Sequence, residues 1–408
     1  MNRMLILVML VLLVTASALS QPRPGDLIVN EKKTLGHVLS LDRTTGLLAT
    51  IVQGPISTNR AILGLTMARN NTDMYLLEEG GPGFYLWTLA PTGTVTTVMP
   101  VSVVGEGAPT SCDLLQNGKL VVSSAVYQAR DYLRVVDTVA KTYTSLYTAN
   151  PSSGYYYAVR QNPDNGNLLV TQAFGNELLE YDWGSNTMQT VRTGLGTTNG
   201  IDVDPATGNY VCGGSSRVWV ISPSGGLVNS INARYARRVR VESSTGRYIC
   251  LTGTSSGSVN TVTEFDARGT ALKTNGPFTG YNFTGLDIYG SRQVAGSGPA
   301  TAGSTYQVDF SFPGLGNTPY IAALAFSPRP GIMLGGSKLN LTPDPLFWLT
   351  VQGMFVTGFQ GTLNPLGRAS GSVTIPAGLP RGLTLFCSAI AMNGATIVTG
   401  NTLGITIR

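Results

Sequence analysis

The sequence predicts an all-β protein built from short strands. Charged residues occupy 12% of the 408 positions, about half the usual share of roughly 25%. Glycine, with 50 residues, is well above its usual frequency of about 7%. Low charge with many Gly, Thr and Val residues is typical of strands joined by tight turns. The length exceeds one ordinary core, so we expect either two domains or one repeat architecture with an added module.

The N-terminus has the pattern of a secretory signal peptide, which we assign to residues 1–20. Arg3 supplies the positive charge, and residues 5–14 form an apolar run too short for a usual membrane span. Residues 16–18, Ala-Ser-Ala, fit a cleavage site. No later stretch resembles a transmembrane helix, so we expect a protein that is secreted or displayed at the cell surface.

The formal net charge of +5 is spread thinly, with one concentration of arginines. These are Arg234, Arg237, Arg238 and Arg240. They form either an anion or acidic-polysaccharide patch or, as we favour, a strand whose alternate residues face solvent or a central channel. Nucleic acid is not expected as a partner.

The four cysteines are expected to be mostly buried free thiols. Cys212 and Cys250 occupy equivalent places in successive repeats, and packed sheets lie about 10 Å apart. A disulfide needs Cα atoms within about 7 Å. The cysteine spacing fits no zinc site.

Two patterns alternate between residues 38 and 296. The first is a strand, a tight turn and a second strand, clearest in residues 200–213, GIDVDPATGNYVCG. Its relatives begin near Gly64, Asp113, Val159, Val239 and Gly285. The second pattern is a strand ending in a polar turn, as in residues 218–223, VWVISP. Together they make a four-stranded unit every roughly 38 to 49 residues, the spacing of β-propeller blades.

The ends of the series indicate how a ring closes. A lone second hairpin (38–52) begins the series and a lone first hairpin (285–296) ends it. Combined in one shared sheet, they remove exposed strand edges. We therefore predict a propeller of about six blades over residues 21–296, with a count of five or seven left open.

Residues 200–213 resemble an NHL-type repeat. The whole of residues 25–300 is similar to the NHL, YVTN and SMP-30-like six-bladed propellers. Because one such fold supports many activities, the resemblance implies architecture far more than function.

After a small-residue linker (297–304), residues 305–408 predict a β-sandwich of about eight short strands. The expected strands include 305–312, 320–326, 347–351 and 383–392. Residues 367–376 and the strands that follow resemble the C-terminal sandwich of secreted repeat proteins from environmental bacteria.

The chemistry-bearing residues predict no catalytic group. His37, the single histidine, precedes an early strand, where a solvated side chain is the ordinary case. Residues 253–257 match G-x-S-x-G, but between two strands rather than at a strand-to-helix turn. Asp113, Asp202 and Asp287 begin equivalent strands, where aspartate is usually a turn residue.

A propeller's usual ligand site is the channel mouth, lined by residues just before each inner strand. The hairpin pattern places five residues there: Arg60, Tyr156, Asn199, Arg237 and Asn282. SMP-30-like enzymes bind a divalent metal at this mouth through Glu, Asn and Asp, but only Asn199 and Asn282 look comparable here. Virginiamycin-lyase-like propellers need a channel histidine, which His37 does not supply. The alternative is that the five residues only cap strands.

We therefore expect a non-enzymatic extracellular binding protein, monomeric, with a protein or carbohydrate partner and no cofactor. The alternative is a metal-dependent hydrolase or lyase, such as an SMP-30-like lactonase, acting at the channel mouth.

Overall fold

The computed structural model describes residues 21–31, 36–52, 61–80, 83–102, 108–125, 131–148, 155–254, 258–298 and 300–408. Their regular secondary structure is almost entirely antiparallel strand, with one short helix. No helix among them has the length and hydrophobicity to span a membrane.

Six four-stranded antiparallel sheets occupy the described part of residues 27–288. Their strands up to the third sheet are β1 (Leu27–Glu31), β2 (Val38–Leu41), β3 (Leu48–Val52), β4 (Ile62–Met67), β5 (Met74–Gly80), β6 (Gly83–Leu89), β7 (Val95–Ser102), β8 (Ala108–Leu114), β9 (Leu120–Ala125), β10 (Asp131–Asp137) and β11 (Thr142–Thr148). The remaining ones are β12 (Tyr156–Gln161), β13 (Leu168–Gln172), β14 (Leu178–Asp182), β15 (Thr187–Arg192), β16 (Thr198–Val203), β17 (Tyr210–Gly214), β18 (Arg217–Ile221), β19 (Leu227–Asn232), β20 (Arg238–Glu242), β21 (Arg247–Gly253), β22 (Val259–Phe265), β23 (Ala271–Asn275) and β24 (Phe283–Ile288).

One strand of each sheet lies at the centre of a ring. These inner strands are β4, β8, β12, β16, β20 and β24, and each contacts the next, with β24 returning to β4. Each sheet then runs outward through three further strands. The ring has two ends: the "far end", where the inner strands begin, and the "module end", where they finish.

The closing sheet differs from the sequence prediction. Its order is β24-β1-β2-β3, so one strand from late in the chain joins three from the beginning. The predicted pairing of two hairpins is wrong in detail, because β24 pairs only with β1, from Leu27↔Ile288 to Asn30↔Gly285. The short apolar run of β1 supplies the strand that residues 290–296 were expected to supply.

Five of the six predicted inner hairpins form, and the one that begins at Gly285 does not, because β24 pairs with β1. In the turn after β16, the Gly208 N–H donates to the Asp204 carbonyl at 2.7 Å. Gly208 has φ +77°, a left-handed conformation that favours glycine. A Cβ at this position would lie 2.6 Å from the guanidinium of Arg329. Gly208 therefore serves both the turn and a close contact with the C-terminal part of the chain.

Apolar side chains from adjacent sheets pack together between the sheets. One such cluster joins Cys212 and Tyr210 to Leu169 and Leu178 of the preceding sheet. All four cysteines are buried and free, which confirms the expectation of buried thiols. Burial raises the pKa of Cys112 to about 12, so this thiol stays protonated.

Residues 294–408, here called the C-terminal module, form two main sheets. Their elements are β25 (Val294–Ser297), β26 (Thr305–Ser311), β27 (Pro319–Ala325), β28 (Ile332–Leu334), β29 (Ser337–Leu339), α1 (Pro345–Val351), β30 (Val356–Thr357), β31 (Gln360–Thr362), β32 (Arg368–Thr374), β33 (Thr384–Asn393), β34 (Thr396–Thr399) and β35 (Leu403–Thr406). One sheet has the order β25-β26-β32-β30, and the other β31-β27-β33-β34 with β35 also on β33. One buried apolar cluster draws on both sheets, including Phe310 of β26 and Leu324 of β27.

Two details of this module depart from the sequence prediction. β25 pairs with β26, so the module's first strand lies in residues that the repeat pattern had assigned to the ring. Residues 347–351 were expected to be a strand but lie in α1. The Asp344 side chain caps this helix by accepting a hydrogen bond from the Phe347 N–H at 2.9 Å, and Pro345 opens its first turn. The Asp344 cap and Pro345 favour a helix at this position, although the apolar run 347–351 was expected to form a strand.

The module packs on the turns that follow the inner strands. Arg69 Nη2 lies 2.5 Å from Asp309 Oδ2, and Arg329 Nη2 lies 2.7 Å from Asp164 Oδ2. The Tyr306 hydroxyl donates to the Gln116 carbonyl at 2.5 Å. These turns come from three different sheets, so the module covers the module end of the ring.

Candidate functional site

Side chains near the end of each inner strand meet on the axis of the ring. In order around the ring, the equivalent residues are Thr66, Asp113, Arg160, Asp202, Arg240 and Asp287. Acid and base alternate at five of the six positions. At the sixth, Thr66 is accompanied by Arg292, which comes from the segment leading into the C-terminal module. We call the three aspartates with Arg160, Arg240 and Arg292 the axial charge ring.

The arginines of the axial charge ring join neighbouring strands. Arg160 lies between two aspartates, with Nη1 2.8 Å from Asp113 Oδ1 and Nε 2.8 Å from Asp202 Oδ1. Arg240 Nε lies 3.1 Å from Asp287 Oδ1. Arg292 Nη2 lies 2.5 Å from Asp113 Oδ1. Three positive and three negative charges thus balance along the axis.

Each aspartate also accepts a hydrogen bond from the backbone of the next inner strand. Asp113 accepts from the Gln161 N–H at 3.0 Å. Asp202 accepts from the Val241 N–H at 2.8 Å. Asp287 accepts from the Met67 N–H at 2.9 Å. The carboxylates are therefore engaged in holding strands together.

The aspartates are deeply buried, with side chains of Asp113 and Asp287 both 3% exposed. Burial alone would raise the pKa of Asp113, but the charges of Arg160 and Arg292 outweigh burial and hold this pKa below its usual range. Burial would also raise the pKa of Asp287, but the positive charges near it, chiefly that of Arg240, outweigh burial and lower this pKa. The carboxylates of Asp113 and Asp287 therefore stay ionised at neutral pH.

A cavity of about 130 Å³ separates the axial charge ring from the module. Its lining includes Arg160, Arg240 and Arg292 on one side and Asn401 and Thr402 of the module on the other. The cavity is polar and large enough for a few water molecules.

Arg238 fills the axis above the axial charge ring, toward the far end. Its guanidinium donates to three backbone carbonyls on three different inner strands: Asn199 at 2.6 Å, Leu63 at 3.2 Å and Thr110 at 2.7 Å. The guanidinium carbon also lies 5.1 Å from the ring centre of Tyr157. One side chain from β20 thus contacts four other inner strands.

Among the ion pairs found in the described ranges, none involves Arg238. Burial lowers the pKa of Arg238 to about 10, which still leaves it charged at neutral pH.

Five residues were predicted to line the channel mouth, and the four that the structure describes lie in different environments. Arg60 lies outside the described residues. Arg237 and Asn282 do meet, with Nη1 3.3 Å from Oδ1. Asn199 is half-buried near the start of β16. Tyr156 is 1% exposed and belongs to the core between two sheets, because the alternation of the strand turns its side chain away from the axis.

The neighbours of Tyr156 form an aromatic cluster at the far end. Tyr155 lies 5.8 Å from Phe174 and 6.3 Å from Tyr157 between ring centres. Phe174 is 63% exposed. Tyrosine side chains are enriched among the residues that dominate binding surfaces.

Two other candidates from the sequence carry no chemistry at the axis. His37 is half-buried just before β2, where its carbonyl accepts from the Glu31 N–H. Residues 255–257 of the G-x-S-x-G match lie outside the described residues. Within the described ranges, His, Cys, Asp and Glu form no group of three that could hold a metal.

The axial charge ring as an assembly was not predicted from the sequence. Its signal was present in the aligned inner strands, where Asp113, Arg160, Asp202, Arg240 and Asp287 occupy one repeat position. Two interpretations of the arginine cluster were open, an anion-binding patch or a strand with alternate residues facing a central channel. The positions of Arg238 and Arg240 agree with the second interpretation. Arg292 lies outside the repeat, so alignment alone could not have placed it.

The fold with its filled axis defines a β-propeller-like, nearly all-β protein. A crystal structure of a nidogen/laminin complex is similar, with a TM-score of 0.52 and 14% identity over 65% of this chain and 98% of that chain. A protein of unknown function from Bacteroides caccae is also similar, with a TM-score of 0.51 and 11% identity over 65% of this chain and 98% of that one. No family model and no curated protein matches the sequence. At these identities the likeness concerns the fold alone.

Proposed function

We propose that this protein is a secreted, non-enzymatic binding protein. Its scaffold is a six-bladed β-propeller, and a C-terminal β-sandwich covers the module end. The far end is the interaction face, and its partner is a protein. Secretion rests on the signal-peptide pattern of residues 1–20.

The observation that carries this proposal is the filled axis. Arg238 occupies the channel with hydrogen bonds to three strands, and the aspartates of the axial charge ring are held by arginines and backbone N–H groups. Groups saturated in this way hold a scaffold rigid. A rigid disc with one end covered leaves the far end to a partner.

Two further features support a protein partner at the far end. Phe174 is exposed and packs against the half-buried Tyr155, and Arg237 is a half-buried cation at the same end of the ring. Tyr and Arg are among the residue types that dominate protein interfaces. One similar solved structure is that of a nidogen/laminin complex, so a related fold occurs in a protein complex.

The first test compares binding by two matched variants of the chain from residue 21. Phe174→Ala removes an exposed aromatic at the far end, and Leu366→Ala removes a side chain of the module that is 68% exposed. Laminin preparations and neutral and acidic polysaccharides serve as probes by surface plasmon resonance. We expect a protein probe to bind the parent and Leu366→Ala equally, with at least about tenfold weaker binding by Phe174→Ala.

Binding restricted to polysaccharides would contradict the protein-partner proposal. Thermal unfolding in EDTA, then with Ca²⁺, Mn²⁺ or Zn²⁺, tests the enzymatic alternative. A melting temperature that falls in EDTA and recovers with one metal, together with hydrolysis in a lactone and glycan screen, would replace the proposal with a metal-dependent hydrolase or lyase.

A further inference from the structure

The six contacts between neighbouring inner strands are not equally supported at the module end. Inner-strand side chains themselves bridge five of them in the described structure. Asp113 joins β8 to β12, Arg160 joins β12 to β16, and Asp202 joins β16 to β20. Arg240 and Asp287 continue the series to β24 and β4.

The contact between β4 and β8 lacks such a bridge because β4 carries Thr66 where the alternation calls for a base. Arg292 fills this position from outside the ring. Its Nη2 lies 2.8 Å from Thr66 Oγ1 and 2.5 Å from Asp113 Oδ1, so it spans β4 and β8. The short, fully buried Thr66 side chain leaves room for it.

The position of Arg292 is fixed by the segment that leads into the module. Its backbone N–H donates to Asn71 Oδ1 at 2.6 Å, and Asn71 Nδ2 donates to the Ser311 carbonyl of β26 at 3.0 Å. Two residues later, the Val294 N–H donates to Asn401 Oδ1 at 2.8 Å. The docked module and the ionic bridge are therefore parts of one hydrogen-bonded arrangement.

We propose that the C-terminal module locks the ring of inner strands by placing Arg292 as the sixth member of the axial charge ring. Without Arg292, Asp113 keeps only Arg160 as an ionic partner, and β4 loses its bridge to β8 at this end. The module is thus a structural component of ring closure as well as a cover.

The test uses four full-length variants. Arg292→Ala removes the bridge, and Arg381→Ala removes an exposed arginine of the same module as a control. Thr66→Arg in the Arg292→Ala background supplies the charge from β4 itself, as Arg160 does from β12. Thr66→Arg alone, which crowds the axis, shows whether that arginine needs the space left by Arg292.

We expect Arg292→Ala to lower the melting temperature by about 5 °C or more and Arg381→Ala by less than about 1 °C. Hydrogen–deuterium exchange should increase in residues 62–67 and 108–114, with residues 198–203 unchanged. Thr66→Arg should restore a substantial part of the loss in the Arg292→Ala background and destabilise the parent.

Equal melting temperatures for Arg292→Ala and Arg381→Ala would overturn the proposal. Exchange that increases only in module strands would also overturn it, because Arg292 would then serve docking alone. Failure of Thr66→Arg to recover any of the loss would have the same meaning, since a charge on the axis would not be what matters.

Discussion

The inner strands are held together across the axis at two levels, and the interactions at the two levels differ. At the module end, three carboxylates and three guanidiniums alternate, and charge is balanced by charge. Toward the far end, one guanidinium is held by three backbone carbonyls. The first arrangement depends on the protonation of its acids, whereas the second contains no acid that could be neutralised. A propeller axis can therefore be closed by ionic pairs or by backbone dipoles.

The largest expected effect comes from breaking the ionic level. Arg160→Gln removes two ion pairs and leaves Asp202 without the Arg160 charge at 2.8 Å. Loss of one member of a buried ionic network costs about 3–5 kcal/mol of the free energy of unfolding. Urea denaturation followed by tryptophan fluorescence measures this loss. A change below about 0.5 kcal/mol, the size expected for Arg381→Gln at the surface, would contradict the assigned role.

A smaller effect is expected at the far level. Arg238→Met keeps most of the volume of the side chain but removes three hydrogen bonds from a charged donor, each worth about 1.5 kcal/mol or more. The lowered pKa of Arg238 records the cost of burying its charge, and the variant is relieved of this cost. We expect a net loss of about 2 kcal/mol or less in the same urea experiment. A loss greater than that of Arg160→Gln would reverse the ranking of the two levels.

Acid provides the third comparison, with the most gradual effect. The folded pKa of Asp113 and Asp287 lies below the ordinary value of 3.8. Their stabilising contribution is therefore complete above that value and is lost as pH falls through the folded pKa. The urea midpoint of the parent should decline below about pH 4.

The matching control is Asp113→Asn, whose decline should be shallower because one titrating group is gone. Arg238→Met should keep the full acid dependence of the parent. Acid profiles of equal slope for Asp113→Asn and the parent would show that the ionic level does not control the acid response.

The sequence was sufficient for the local parts of this architecture. Alternating apolar residues and turn glycines such as Gly208 predicted the inner hairpins, since both signals are short-range. The closing sheet was only partly predicted, because pairing of β1 with β24 joins segments about 260 residues apart, as in the pair Leu27 and Ile288. Helix α1 was not predicted, because the apolar run 347–351 resembles a strand and the capping signal of Asp344 lies outside that run.

The candidate site was harder to predict for a geometric reason. A repeat position places residues around an axis, but it does not say which side chains cross it. Arg237 and Asn282 lie within hydrogen-bond distance of each other, whereas the side chain of Tyr156 lies in the core between two sheets. Arg238 and Arg292 act across the ring, and such contacts have no sequence periodicity.

The pairing of β1 with β24 also sets the order of assembly on a growing chain. The first three strands of the closing sheet are synthesised early, but their inner neighbour ends at Ile288. Their sheet edge must therefore wait through the synthesis of five intervening sheets. Pairing over such a distance is slow because a long loop has to close first. The ring of sheets therefore cannot close until roughly the last third of the chain is being synthesised. Until then, the N-terminal strands are the part of the chain most in need of protection from incorrect pairing.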